Sequence, residues 1–214
     1  MRCACVACAL VACGPTAPSS GDARGIDGAI TIDSTPVSLT DAAPCNQLHA
    51  TIRDFHKTHP DFEHFTSDAV VKGLVAPSLG GDHTPSYAPA GATVCTSGPT
   101  QFADWYHDVA GANVAIPITL SLIETSPGTY VFDSGAFFPI DGQGFGDEGF
   151  DHNFSFTTEI HTLFTYQGGE SFTFRGDDDL WMFVNGQLAI DLGGTHQPAT
   201  TTVNVDDLGL TKGG

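Results

Sequence analysis

Apolar and polar residues alternate along several short stretches of the chain, and turns rich in glycine and proline separate these stretches. The alternation is clearest at residues 113–124, where every second position is apolar: Val114, Ile116, Ile118, Leu120 and Leu122. This period of two is typical of a half-buried β-strand, and Pro117 within it indicates an edge or a bulge. Similar patterns predict further strands at residues 50–55, 130–132, 154–166, 170–175 and 201–205.

The dipeptide Asn-Gly at residues 185–186 lies between two apolar runs. It predicts a β-hairpin with a two-residue turn, because such a turn needs positive φ at both central residues. Counting outwards from the turn pairs Phe183 with Leu188 and Trp181 with Ile190. These four side chains would then share one face of the hairpin, which we expect to be the core side.

These patterns predict at least seven strands and only one helix candidate, at residues 102–109. Glycine and proline total 38 (25 and 13), which suits many short strands joined by turns. The chain therefore predicts an all-β fold: an antiparallel β-sandwich with short helical turns and long loops.

Three consecutive aspartates, residues 177–179, open the hairpin, and the pairing places Gly193 opposite Asp178. The same pairing puts Asp191 diagonally across from Asp178, on the face away from Trp181. Crowded carboxylates repel one another, and a hard cation such as Ca²⁺ would relieve the repulsion. The alternative is a solvated turn, where aspartate and glycine are common. The candidate metal ligands are Asp177, Asp178 and Asp191.

The run from Gly176 to His196 resembles the signature of fibro-slime domains, a branch of the PA14-like β-sandwich modules of bacterial and slime-mould cell surfaces. Further matching stretches are residues 59–63, 102–106, 137–142, 152–157 and 166–170. The resemblance covers the chain from about residue 50 onwards and implies a PA14-like β-sandwich at residues 48–214. It also implies further strands after residues 208–210, so we expect this domain to be truncated at its C-terminus.

In sugar-binding PA14-like modules, two consecutive aspartates hold a Ca²⁺ ion that in turn binds sugar hydroxyls. Asp177 and Asp178 match that pair in position, and the resemblance therefore implies that they bind both calcium and ligand. Asp179 falls on the Trp181 side and is left out of the metal shell. His196 could also contact ligand, although a structural hydrogen bond explains a histidine there equally well.

Acidic residues outnumber basic ones 25 to 7, giving a net charge of −18. Such a charge repels phosphate groups, which argues against nucleic acid or an anionic membrane surface as a partner. It is compatible with binding cations. The expected partner is a carbohydrate or extracellular-matrix glycan, and a membrane would be contacted only through a lipid anchor.

The N-terminus carries one arginine followed by an apolar run, which predicts a signal peptide at residues 1–12. The residues before Cys13 look like the lipobox of bacterial lipoproteins, in which that cysteine is lipidated; an ordinary signal peptide is the alternative. Residues 13–47 combine the anchor cysteine with a flexible linker poor in large apolar groups. The predicted location is therefore exported: an outer-membrane or cell-surface lipoprotein, or a secreted protein.

Two cysteines lie beyond the N-terminal cluster, Cys45 and Cys95. In an oxidising compartment an even number of thiols favours a Cys45–Cys95 disulfide. Two independent buried thiols are the alternative.

No sequence motif for a nucleophile, a zinc helix or a phosphate loop is found. His56, His59 and His64 have loose spacing without a cysteine or a tight pair, which favours surface histidines. We therefore predict no catalytic residue and a calcium-assisted carbohydrate- or matrix-binding module at the cell surface or secreted. The alternatives are a structural matrix domain without sugar binding, or a hydrolase accessory or catalytic domain.

Overall fold

The computed structural model describes residues 4–9, 29–33, 46–62 and 69–213, the first two ranges by backbone alone. The described residues contain eleven strands in two sheets and one short α-helix, α1 (Pro99–Asp104). The strands are β1 Ala4–Ala9, β2 Ala29–Asp33, β3 Gln47–Phe55, β4 Asn113–Ser121, β5 Ile123–Ser126, β6 Thr129–Asp133, β7 Phe156–His161, β8 Ser171–Gly176, β9 Leu180–Val184, β10 Gln187–Leu192 and β11 Ala199–Asn204.

One sheet has six strands in the order β10-β9-β1-β7-β3-β4, and the other has five in the order β11-β8-β2-β6-β5. The pairings are antiparallel except those of β1, which runs parallel to both β7 and β9. The predicted all-β fold of antiparallel sheets is therefore confirmed. Pro117 lies on β4, the edge strand of the six-stranded sheet, where a missing backbone N–H costs no ladder hydrogen bond.

The Asn-Gly turn forms as predicted, with φ of 48° at Asn185 and 73° at Gly186. The pair Phe183–Leu188 also forms. Beyond it a β-bulge between Leu188 and Ile190 shifts the register by one residue, so that Ile190 pairs with Met182 rather than Trp181. The predicted Trp181–Ile190 pair is therefore wrong, and Ile190 does not share the face of Trp181.

With this bulge, the side chains of the hairpin contribute to two separate hydrophobic cores. The inner core lies between the sheets and includes Leu180, Met182, Ile190 and, from the five-stranded sheet, Phe172. The outer core lies on the other face of the six-stranded sheet, where loops and α1 cover it: Phe55, Phe62, Leu74, Val75, Cys95, Phe102, Trp105, Tyr106, Trp181 and Phe183. Ile190 gains burial in the inner core, which is the physical benefit of the shifted register.

Helix α1 begins with Pro99, whose missing N–H is not needed in the first helical turn. It ends at Asp104, before the predicted limit at residue 109. Asn113 donates its side-chain amide to the carbonyls of Asp104 and His107, 2.8 Å away in each case, and so satisfies the backbone past the helix end. Strand β7 is likewise shorter than the predicted 154–166.

Two strands fall within segments predicted as signal peptide and flexible linker: β1 and β2, respectively.

Cys13 and Cys45 lie outside the described residues, so the lipidation and the disulfide stay predictions. Cys95 is buried and has no disulfide partner among the described residues, and burial raises the pKa of its thiol to about 11. Among the described residues, none of the helices is long and apolar enough to span a membrane.

Candidate functional site

The three aspartates of the hairpin mouth, residues 177–179, connect β8 to β9. Asp177 is half-buried, whereas Asp178 and Asp179 are 1% and 4% exposed. Asp178 has φ of 62°, a left-handed conformation that aspartate tolerates better than most residues. The carboxylates therefore do not point into bulk solvent as they would in the alternative of a solvated turn.

Asp179 holds the two strands of the hairpin together at this end. Its Oδ1 accepts a hydrogen bond of 2.5 Å from the backbone N–H of Gly194. The adjacent Gly193 is needed for packing, because a Cβ there would lie 2.6 Å from the carbonyl oxygen of Val71 and 2.8 Å from Leu74. The segment around Val71 therefore fills the space beside Gly193.

Asp191 does not join Asp177 and Asp178. The bulge places it opposite Trp181, on the outer face of the hairpin. Its Oδ1 accepts from the indole Nε1 of Trp181 at 3.1 Å, and its Oδ2 accepts from the backbone N–H of Gly73 at 2.8 Å. The predicted position of Asp191, on the face away from Trp181, is therefore wrong, and the carboxylate instead anchors a loop to the outer core.

His196 lies beside Asp178 and is 2% exposed. Its backbone N–H donates to Oδ1 of Asp178 over 3.3 Å. Its ring Nδ1 lies 2.8 Å from the carbonyl oxygen of Gln197, and since a carbonyl only accepts, Nδ1 carries the proton. The neutral ring then has a lone pair on Nε2, which is buried and has no hydrogen-bond partner in the part of the chain that the structure describes.

The structure does not bring the three acids expected to bind calcium together. Within the described residues, no group of three or more His, Cys, Asp or Glu side chains is placed to hold a metal ion. Asp177 and Asp178 are adjacent in sequence, but Asp191 is committed to Trp181. Calcium takes six to eight oxygen ligands, so two carboxylates would need main-chain, water or ligand oxygens to complete the shell.

A second polar region lies on the outer face of the six-stranded sheet, beyond the outer core. It is a cavity of about 360 Å³ across β7, β3 and β4, called here the outer groove and lined by His49, Ala50, Thr51, Pro117, Ile118, Thr119, Glu159 and His161. Ala50 and Ile118 belong to the inner core, so the side chains facing out are those at the alternate positions.

Glu159 is the charged centre of the outer groove and is only 9% exposed. Its Oε2 accepts from Nη1 of Arg53 at 2.5 Å, and its Oε1 lies 2.6 Å from Nε2 of His161. Arg53 also donates through Nε to Asp108 at 2.9 Å. Across the groove, Nδ1 of His49 lies 3.2 Å from the hydroxyl of Thr119.

These contacts move the pKa values of two groups in the groove. Burial by itself would raise the pKa of Glu159, but the hydrogen bonds from His161 and Arg53 outweigh it, so this pKa lies below its ordinary value of 4.5. The hydrogen bond to Glu159 raises the pKa of His161 above 6.5. The two groups therefore form an ion pair over a wider pH range than either would in water.

Sequence reasoning missed the outer groove, although a signal was present. His49, Thr51 and Arg53 occupy alternate positions of β3, and Thr157, Glu159 and His161 occupy alternate positions of β7. Each run places polar side chains on one face of a strand whose other face is mainly apolar. Only the sheet order shows that the two runs lie side by side, with Thr51 opposite Glu159.

Comparison with known proteins points to one domain family. Residues 140–214 match the PA14 domain family, and this stretch includes both strands of the hairpin, the aspartates and His196. No solved structure is significantly similar to the chain. This match is to the PA14 domain and does not distinguish its fibro-slime branch from the others.

The chain is similar to several proteins of Dictyostelium discoideum. Protein psiD is 45% identical over 181 residues, which are 78% of this chain and 36% of psiD. Protein psiC is 44% identical over 184 residues, 78% of this chain and 36% of psiC, and protein psiQ is 42% identical over 168 residues, 72% and 17%. The chain thus spans about a third or less of the length of these relatives, whose names state no activity. Nothing in these likenesses bears on lipidation of Cys13.

Proposed function

We propose that this chain is a non-catalytic carbohydrate-binding module whose ligand site is the hairpin mouth formed by Asp177, Asp178 and His196. The match of residues 140–214 to the PA14 domain supports a binding module. The proposed ligand is a glycan of a cell surface or extracellular matrix, met by an exported protein. Multivalent display would strengthen the weak affinity that a single site of this kind provides.

The observation that carries the proposal is the buried Nε2 of His196, which lacks a hydrogen-bond partner among the described residues. Leaving such an atom unsatisfied costs about 1 to 3 kcal/mol, and a fold tolerates that cost where a ligand supplies the missing bond. The Gln197 carbonyl leaves Nε2 as an acceptor, and a sugar hydroxyl is a suitable donor. The carboxylates of Asp177 and Asp178 are further acceptors for hydroxyl groups.

Calcium is a separable part of this proposal. Asp177 and Asp178 would hold the ion, and a bound ion would offer adjacent coordination positions to two sugar hydroxyls. The carboxylates of Asp179 and Asp191 are outside the proposed shell, because their hydrogen bonds to Gly194, Trp181 and Gly73 serve the fold.

The same hydrogen bonds favour one rival function, a structural matrix domain in which the aspartates only hold the hairpin closed. Asp179 and Asp191, two of the four acids near the mouth, accept hydrogen bonds of this kind, so the rival is tested against sugar binding.

Asp178→Asn on a glycan array tests the proposal. Asparagine keeps the side-chain oxygen that His196 N–H uses and tolerates the left-handed backbone, so the fold should persist while the charge is lost. We expect binding to fall about tenfold or more, because a charged acceptor is replaced by a neutral one. His196→Gln, which lacks the positioned ring nitrogen, should lower binding as well.

Asp133→Asn is the matched control, since Asp133 is an exposed acid at the end of β6 in the other sheet. It should bind as the unaltered chain does. Equal binding by the Asp178→Asn and Asp133→Asn proteins would contradict the proposal and favour the structural rival. Repeating the array with EGTA isolates the calcium part: unchanged binding would remove calcium and leave the sugar site.

A further inference from the structure

We infer that the outer groove is a second binding site, for a neutral, hydroxyl-rich ligand such as a sugar ring, and that it works without calcium. The inference takes its ligand class from the geometry of Glu159 and its neighbours. The ligand class is the same as in the proposed function, but the site is on a different face of the molecule, formed by β3, β4 and β7.

The carboxylate of Glu159 is held in place with acceptor capacity to spare. An ionised carboxylate offers about four lone-pair sites, and the contacts with Arg53 and His161 use one site on each oxygen. Each oxygen therefore keeps one site open. Two oxygens fixed in this way match a pair of neighbouring hydroxyl donors, and their orientation is set before the ligand arrives, which lowers the entropic cost of binding.

Charge around the groove selects against other ligand classes. Arg53 and Glu159 face the groove with opposite charges, so an ion of either sign is repelled by one of the two. A metal ion would lack ligands, because the described residues bring no three acidic, histidine or cysteine side chains together. A neutral molecule that both donates and accepts hydrogen bonds suffers neither repulsion.

The other walls of the groove suit such a ligand. Thr51 and Thr119 supply hydroxyls, His49 supplies a ring nitrogen, and Pro117 supplies an apolar surface against which the C–H face of a sugar can pack. A cavity of about 360 Å³ is near the lower end of the usual range for small-molecule sites. It therefore suits one or two sugar rings rather than a macromolecule.

The test is a titration of the ¹⁵N-labelled chain with galactose, mannose, N-acetylglucosamine and cellobiose, each in the presence of EDTA. At least one sugar should shift the backbone amide signals of Thr51, Thr119 and Glu159. Thr119→Val removes one hydroxyl while keeping the side-chain shape, and should weaken that sugar about threefold to tenfold, the loss of one hydrogen bond. Glu159→Gln should weaken it further.

Thr202→Val is the matched control, because Thr202 lies on β11 in a comparable exposed pair with Thr173, their hydroxyls 2.8 Å apart. It should leave the affinity unchanged. Absence of groove shifts with all four sugars, or equal affinities for the Thr119→Val and Thr202→Val proteins, would overturn the inference.

The two proposed sites can be tested independently of each other. Loss of all sugar binding in Asp178→Asn, with no effect of Thr119→Val, would sustain the hairpin-mouth proposal and overturn the groove. Chelator-resistant binding that Thr119→Val weakens and Asp178→Asn leaves intact would sustain the groove and overturn the hairpin mouth.

Discussion

The outer face of the six-stranded sheet has a covered end and an open end, and the two ends use the same strand geometry differently. At the covered end, Phe55, Trp181 and Phe183 point out from the sheet and are buried by loops and α1. At the open end, His49, Glu159 and His161 point out on neighbouring strands and line the outer groove.

The difference shows what a carboxylate is used for in each place. At the covered end, Asp191 accepts from an indole and a backbone N–H, neither of which titrates. At the open end, Glu159 is held by Arg53 and His161, and a ligand can approach from solvent. The hydrogen bonds of Asp191 therefore stabilise the fold, whereas Glu159, which side chains hold beside a cavity, can also contact a ligand.

Trp181→Ala should have the largest effect on stability, because Trp181 is fully buried in the outer core. We expect a loss of about 4 kcal/mol in the free energy of unfolding, the usual cost of a large cavity. Urea denaturation measures it. Leu163→Ala is the control, since that side chain is 92% exposed and should change stability little. Similar losses for both variants would mean that the covered end is not a packed core.

Asp191→Ala should cost about 2 kcal/mol, because it leaves the Trp181 and Gly73 N–H groups without their acceptor. Asp191→Asn keeps one side-chain oxygen and should lose less than half of that amount. The same denaturation series gives both values. Calcium binding should be the same in both variants as in the unaltered chain, and a drop in calcium affinity would restore Asp191 to the metal shell.

Glu159→Gln should cost about 1 to 2 kcal/mol, less than a fully buried pair would, because Arg53 keeps its contact with Asp108. Glutamine has nearly the same shape as glutamate, so the loss reports the charge. Glu124→Gln provides a comparison at an exposed position of β5. A loss as small as that of Glu124→Gln would indicate that the ion pair of the open end contributes nothing to stability.

The pH dependence of stability should show the smallest effect, because the His161 side chain is 51% exposed. Its raised pKa contributes stability that is fully present below its unfolded value of 6.5 and is lost as pH rises through the folded pKa. The lowered pKa of Glu159 contributes stability present above 4.5 and lost as pH falls through the folded value. The pair therefore stabilises most between about pH 4.5 and 6.5.

Unfolding free energies of the unaltered chain and of His161→Asn, compared across this range, isolate the histidine contribution. His49 and Asp108 face the same network and are present in both proteins, so their contributions cancel in the difference. A difference that stays constant from acid to alkaline pH would contradict the raised pKa of His161, because the histidine would then bind protons equally in the folded and unfolded states.

The hairpin shows how far sequence reasoning reached. The turn at residues 185–186 and the pair Phe183–Leu188 were predictable, because a two-residue loop sets the first pairs by itself. The bulge after Leu188 was not predictable, because it depends on the two cores that bury Ile190 and Trp181 on opposite faces of the hairpin. The missed bulge is also why Asp191 was placed with Asp178.

The two candidate sites also differ in how far the sequence predicts them. Asp177, Asp178 and His196 could be named from sequence because one short segment and its hairpin partner carry them. The outer groove could not, because His49, Thr119 and Glu159 come from three distant segments and meet only in the assembled sheet.

By itself, the sequence determined what depends on neighbours along the chain: the alternation of the strands, the two-residue turn and the run of aspartates at the hairpin mouth. Tertiary structure alone decided which outward-facing strand residues are covered and which are open, and which partner each carboxylate has. The physical reason is that burial and several of the hydrogen-bond partners at these positions come from distant parts of the chain, such as Arg53 for Glu159 and Gly73 for Asp191, which local preferences do not encode.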